Sequence, residues 1–260
     1  MAKKINYTIT ILCILLFSGI SPAEESILDP ERQFENGNKK YAAGQFEEAI
    51  KDYSSVLDVG LKSGSLYFNL GNSFMKMGKL GEAILNYERA KLLIPRDGDL
   101  ISNMQYAKSQ MKQKDVAQNR HWLLASVDMA FGYFTIGELI WLTTALYYLV
   151  MVLIIACVVK KKIRGYAIPV IVILTVFLVA GIPPTIKKAR DLRSAGIVID
   201  PIIDARFEPL KRADVNFPLY EGMKVSVLSS RGDWWKVKRP DGKIGWVPAN
   251  AVKLIVDPLL

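Results

Sequence analysis

NLGNSFMKMGKLGEAILNYERAKLLIP, Asn69–Pro95, reads as the greater part of one helical hairpin, and an earlier copy of it lies directly upstream. Laid over Gly64–Asp97, the segment Pro30–Ser63 aligns at a period of 34 without a gap, with identity at Phe34/Phe68, Gly37/Gly71, Asn38/Asn72, Gly44/Gly78, Glu48/Glu82, Ala49/Ala83, Ile50/Ile84 and Tyr53/Tyr87. The repeated residue types have a physical reading. Gly37/Gly71 and Ala49/Ala83 stand where the two helices of a unit approach most closely. Gly44/Gly78 closes the first helix in a left-handed cap that needs no Cβ, and Tyr53/Tyr87 fills the space between adjacent units. No third copy follows. A stack of such units usually needs at least about three to bury a continuous core, so the pair raises the question of what completes it.

In the second unit Tyr67, Leu70, Gly71, Phe74, Ala83, Tyr87, Ala90 and Pro95 resemble the tetratricopeptide repeat in type and spacing. The first unit departs from that pattern with Asn36 in place of a leucine and Leu61 in place of the proline. Downstream, Asp99–Lys114 carries Leu100, Ile101, Met104, Ala107 and Met111 on one helical face, as a capping helix should. Residues 30–114 are expected to form an all-α domain of two tetratricopeptide repeats plus this cap. Phe34, Glu35, Asn38, Asn69, Asn72, Met75 and Lys76 face its short groove. The resemblance implies that Asn38 and Asn69 hold the backbone of a bound peptide. Phe34, Asp99 and Asn103 stand where a clamp for a terminal carboxylate has basic residues, which argues against capture of a chain end. The other assignment of these asparagines is structural.

Charge is distributed unevenly. Residues 24–132 hold 14 Lys and Arg against 15 Asp and Glu, so the net +9 of the chain comes from elsewhere. It flanks three apolar runs. The first, in MAKKINYTITILCILLFSGISPAEE, has the layout of a signal peptide over residues 1–23, with cleavage expected after Ala23 and an uncleaved anchor as the competing reading. Leu139–Val159 and Tyr166–Ile186 are each long enough as helices to cross a hydrocarbon core of about 30 Å. Pro183-Pro184 is placed to end the second. The four basic residues of the loop 160–165 are expected in the cytoplasm by the positive-inside rule. The export signal independently puts residues 24–132, and with them the juxtamembrane linker 115–138, on the far side. The basic cluster Lys187–Arg193 runs against this topology. Glu138, at the head of the first span, is expected at the interface, aiding the helix dipole. Basic residues beside membrane spans account for the high isoelectric point without nucleic acid. Cys13 and Cys157 both fall in apolar runs, and His121 has no companion ligand, so neither a disulfide nor a metal or other cofactor is expected.

Beyond about Ala195 the pattern becomes short strands at period two, five in about 60 residues, with turns at Arg231-Gly232-Asp233 and Asp241-Gly242. Within residues 194–256 the stretch EGMKVSVL…DWWKV…DGKIGWVPANAVKLI resembles the bacterial SH3-like family, its DWW and GxxGWVPAN elements are similar to those of eukaryotic SH3 domains, and the short strands suggest a small all-β barrel. The resemblance implies a ligand groove bordered by Trp234, Trp246 and Pro248. Ala251 stands where a tyrosine completes the wall for proline-rich peptides, and cell-wall peptide is the alternative ligand. At least one of Trp234, Trp235 and Trp246 is expected to serve as core instead.

The expected whole is a multidomain membrane protein: an all-α repeat domain, a two-helix transmembrane hairpin and an SH3-like barrel. This order is similar to the BatE-type proteins of bacterial aerotolerance operons. That resemblance implies an inner-membrane, periplasm-facing, non-catalytic scaffold whose partners are membrane proteins with von Willebrand A domains and, indirectly, a MoxR-type ATPase. The opposing reading is a tethering protein whose barrel binds peptidoglycan.

Overall fold

The computed structural model describes residues 29–112 and 122–256, so the expected signal peptide and His121 lie outside the described residues. Two antiparallel helix pairs come first: α1 (Pro30–Ala42) with α2 (Phe46–Asp58), and α3 (Gly64–Lys76) with α4 (Leu80–Leu93). Each first helix is started by a side chain that accepts from orphan backbone N–H groups. Asp29 receives Glu31 N–H at 3.1 Å, and Ser63 receives Leu66 N–H at 3.1 Å. Each is closed by a glycine at positive φ, Gly44 at 77° and Gly78 at 72°.

The packing within a pair differs from the expected arrangement in one respect. The tyrosine of the second helix lies over the glycine of its own unit. A Cβ added at Gly37 would sit 2.5 Å from the Tyr53 ring, and one at Gly71 2.5 Å from Tyr87. The ring is long enough to cross the helix pair and carry its hydroxyl to the asparagines at the seam between units.

The helix α5 (Gly98–Ser109) follows, started by Asp97, which accepts from Leu100 N–H at 2.8 Å. Leu100, Met104 and Ala107 are buried beneath it, and Met111, just past its end, is buried too.

The stretch read as a linker contains a helix, α6 (Trp122–Gly132). Next come two helices long and apolar enough to cross a membrane, α7 (Ile136–Val159) and α8 (Arg164–Ser194), joined by a 3₁₀ turn at Lys161–Ile163. Thr135 and Glu138 close a capping box at the head of α7, and Glu138 also pairs with Arg96 at the far end of α4. At the turn, Arg164 Nε donates to the Cys157 carbonyl at 2.8 Å, satisfying one orphan acceptor of α7.

Pro183-Pro184 does not end α8. A proline removes the N–H that bonds one turn back and crowds the carbonyl there, but the flanking turns carry the helix through both prolines for ten further residues to Ser194, with Thr185 Oγ1 donating to Gly181 O at 2.9 Å.

The C-terminal part is an antiparallel sheet of seven strands rather than the expected five: β1 (Ala195–Val198), β2 (Ile202–Arg206), β3 (Val215–Tyr220), β4 (Lys224–Arg231), β5 (Trp234–Lys238), β6 (Ile244–Pro248) and β7 (Val252–Leu254). The order across the sheet is β3-β2-β6-β5-β4-β1-β7. Pro201 splits the run GIVIDPIIDARF into two strands that pair with different neighbours: β1 with β4 and β7, β2 with β3 and β6. The additional strand β3 contains Pro218 and lies at the sheet edge, where a missing donor costs no ladder bond.

Arg239 is buried at one end of the β5–β6 hairpin. Its guanidinium grips Asp241 with two hydrogen bonds and stacks 4.9 Å from the Phe217 ring centroid. That grip, ahead of the backbone N–H of Lys243, holds the Asp241 carboxyl down at about 2. Asp241→Asn is expected to lower sheet stability by about 1–2 kcal/mol, read as an earlier loss of the tryptophan signal in denaturant. An unchanged midpoint refutes the assignment.

The sheet docks directly on the second helix pair. Gly81 N–H, an orphan donor at the start of α4, is taken by Glu221 Oε1 at 2.8 Å, and Arg89 donates to the carbonyls of Ile255 and Leu254 at 3.1 and 3.0 Å. Ile84, Leu85 and Glu88 are buried there. The corresponding residues of the first unit are Glu47, Ile50, Lys51 and Ser54, of which Glu47 and Lys51 are exposed. The β-sheet thus covers a face of α4 whose counterpart in the first unit is left partly exposed, while α5, which begins one period after α3 and reaches Asn72 through Asn103 as Asn69 reaches Asn38, continues the stack; cap and sheet together complete the two-unit array.

Candidate functional site

The residues expected to line the helical groove fall into two groups. Asn38 Oδ1 accepts from Tyr53 OH and from Asn69 Nδ2, both at 2.8 Å. One period later Asn72 Oδ1 accepts from Tyr87 OH and from Asn103 Nδ2, again both at 2.8 Å. This amide ladder stitches each unit to the next. Burial keeps the two phenols protonated as donors, pushing Tyr53 up to about 12 and Tyr87 higher. Phe34 packs against Tyr53 with ring centroids 5.8 Å apart, as Phe68 does against Tyr87 at 6.2 Å. Glu35 and Lys76 are the exposed members of the set and stand apart from these bonds.

Asn72→Ala leaves a buried phenol and the Asn103 amide unpaired. The expected cost is about 1–3 kcal/mol, measured as a lowered denaturation midpoint, with Lys76→Ala as the neutral comparison. Equal midpoints for the two variants count against the ladder.

The second surface is the outer face of the sheet. Residues alternate along β5 and β6, so Trp234 and Lys236 share one face with their register partners Pro248 and Trp246, while Trp235 and Val237 turn inward with Val247. Trp235 is the tryptophan that contributes to the core. The strip does not form one groove. Trp234 and Pro248 line a cavity of about 340 Å³ with Asp204, Arg206 and Lys211. Trp246 lines a separate one of about 570 Å³ with Arg231 and the loop Phe207–Leu210. Lys236 Nζ lies 5.8 Å from the Trp246 ring centroid.

The loop between β2 and β3 keeps its shape through Phe207 N–H, which donates to Asp214 O at 3.1 Å, and Arg206, which donates to Ala213 O at 2.5 Å. Phe207 is 61% exposed and Leu210 47%, so two apolar side chains stand open to solvent at this cavity mouth. Glu208 and Arg231 give its rim both signs of charge, a combination suited to a peptide with an apolar side chain and paired polar groups. Sequence reasoning missed Phe207, Glu208 and Leu210, because a polar turn-rich loop carries no periodic signal. Neither cavity is lined by any residue of the helical region, so docking on α4 leaves both accessible.

Residues 206–253 match the bacterial SH3 domain family. That stretch runs from the last residue of β2 into β7 and includes Trp234, Trp246 and Pro248. No curated protein matches the chain.

Proposed function

We propose that the chain is a non-catalytic, two-pass inner-membrane scaffold. In this reading its two tetratricopeptide units and its SH3-like domain stand together on the periplasmic side, and the turn Lys161–Ile163 faces the cytoplasm. The observation that carries it is the docking of the sheet on α4, which joins two interaction modules into one body while leaving the Phe207–Trp246 cavity open. That α7 begins and α8 ends beside the same body supports a common side for both modules. The module order resembles BatE-type aerotolerance-operon proteins, and on that resemblance the partners are von Willebrand A-domain membrane proteins, with a MoxR-type ATPase behind them. Because the groove asparagines are engaged in the amide ladder, the binding role shifts toward Trp246 and its cavity, with Glu35 and Lys76 as the accessible parts of the groove.

The test is affinity capture of the full chain from its own membranes in mild detergent, alongside Trp246→Ala. Von Willebrand A-domain proteins retained by the parent chain and lost from the variant support the scaffold. Their absence from both overturns it. The bacterial SH3 match favours one second reading, peptidoglycan binding, for which the same pair is sedimented with purified cell wall. Retention of the parent chain but not of Trp246→Ala selects that reading.

A further inference from the structure

Where α4, the head of α7, the last turns of α8 and the sheet meet, the protein encloses a cavity of about 740 Å³. Its lining has two characters. Lys91, Lys188, Arg193 and Lys224 bring positive charge, and the single carboxylate, Glu88, is already shared between Lys224 and Lys108. Lys91 and Arg193 form no ion pair with a carboxylate among the described residues, and the carboxylate that acts on Lys188, Glu138, is ion-paired with Arg96. Leu92, Leu93, Phe134, Ile136, Leu192 and Val256 supply apolar wall.

Directly below, between α7 and α8, runs an apolar groove of about 570 Å³ lined by Leu142, Leu146, Leu149, Leu174 and Phe177. The two spaces share Phe134 and follow one face of α8: Gly181 and Thr185 line the groove, and Lys188, Ala189, Leu192 and Arg193 line the cavity, each about one turn further on. A cationic chamber opening onto an apolar groove at the end of two apolar helices is complementary to an amphiphile with an anionic head.

We propose that this pair of spaces binds one anionic phospholipid, its phosphate in the cavity against Lys91, Lys188 and Arg193 and an acyl chain in the groove. The inference rests on the reading of α7 and α8 as membrane spans. It also gives a reason for the basic cluster Lys187–Arg193, which the positive-inside rule leaves unexplained on the outer side. Lys188 is fixed in place for this task, donating to the Phe131 and Phe134 carbonyls at 2.7 and 2.5 Å.

The test uses the full chain in non-ionic detergent, titrated with dihexanoylphosphatidylglycerol, dihexanoylphosphatidylcholine or inorganic phosphate and followed by native mass spectrometry. Phosphatidylglycerol is expected to bind most tightly. Lys91→Gln with Arg193→Gln is expected to weaken it about thirtyfold, whereas Lys161→Gln with Lys162→Gln, at the opposite end of the hairpin, leaves it unchanged. Equal binding of the two lipids, equal loss in both double variants, or phosphate binding as tightly as the lipid overturns the proposal. Alkaline carbonate washing of native membranes separates the two claims. A chain released by the wash overturns the membrane reading itself, and a chain retained by it but blind to headgroup charge overturns only the lipid site.

Discussion

Glu88→Gln is expected to loosen the sheet from the helices at neutral pH and to abolish most of the acid sensitivity of their union. Glu88 is 7% exposed on α4, and its two carboxylate oxygens meet Lys108 of α5 and Lys224 of β4, each at 2.9 Å. Burial by itself drives the carboxyl pKa upward, but the charges and hydrogen bonds of the two lysines outweigh it and hold the group down at about 2 instead of its ordinary 4.5. The folded value is the depressed one, so the stabilisation is complete above the unfolded pKa and drains away as pH falls from about 4.5 through about 2. The side chains of Lys108 and Lys224 are 35% and 41% exposed, so solvent screens part of the attraction. A loss of about 2–3 kcal/mol is expected. Thermal unfolding from pH 7 to pH 2 reads both effects, and hydrogen exchange at Ile197 and Val198 reports undocking. A variant with the parent's midpoint and the parent's acid limb sinks the argument.

The other large effect is expected from Gly71→Ala. Its new Cβ falls 2.5 Å from two ring carbons of Tyr87, a side chain 1% exposed and pinned at its hydroxyl by Asn72. The ring has nowhere to retreat, so α3 and α4 must separate, at a cost of about 2–4 kcal/mol even after the gain in helix propensity. Gly37→Ala creates the same overlap with Tyr53. It is expected to cost less, because α1 is terminal in the described array and can shift outward. Gly44→Ala is the control. It meets no atom within 4 Å and carries only the strain of its positive φ, about 1 kcal/mol. Denaturation midpoints in the order Gly71→Ala below Gly37→Ala below Gly44→Ala are the expected result. Equal midpoints for the first and last refute the packing account.

Much of the fold was legible because it rests on local, periodic signals. The period of 34 placed two like helix pairs: α3 begins at Gly64, one period after Pro30, and α4 at Leu80, one period after Phe46. The two long apolar runs marked α7 and α8. What escaped depends on tertiary surroundings. Pro183-Pro184 looked like a stop, but the hydrogen bonds lost and the crowding at the two prolines are local, and the turns on either side hold the helix together. Pro218 disguised β3, whose edge position is a property of the whole sheet. Gly81 and Leu85 differed from Glu47 and Lys51 in plain view, yet the difference becomes meaningful only once something is known to cover that face. The candidate site was harder still. An asparagine placed to hold a ligand and one placed to hold a neighbouring helix are the same letter, and only the 2.8 Å bonds to Tyr53 and Tyr87 decide between them.

The absence of any linker after α8 has a mechanical consequence. Ser194 ends the helix and Ala195 begins β1, whose register with β4 and β7 is fixed by backbone hydrogen bonds. The sheet is bolted in turn to α4, and α4 is tied back to the head of α7 by Arg96 and Glu138. Among the described residues, helices, hairpin and sheet form a closed loop of contacts, with no spacer between α8 and β1. The 31 residues of α8 make a rod of about 46 Å, and in such a linkage a tilt of that rod at one end is a displacement of the Trp246 cavity at the other.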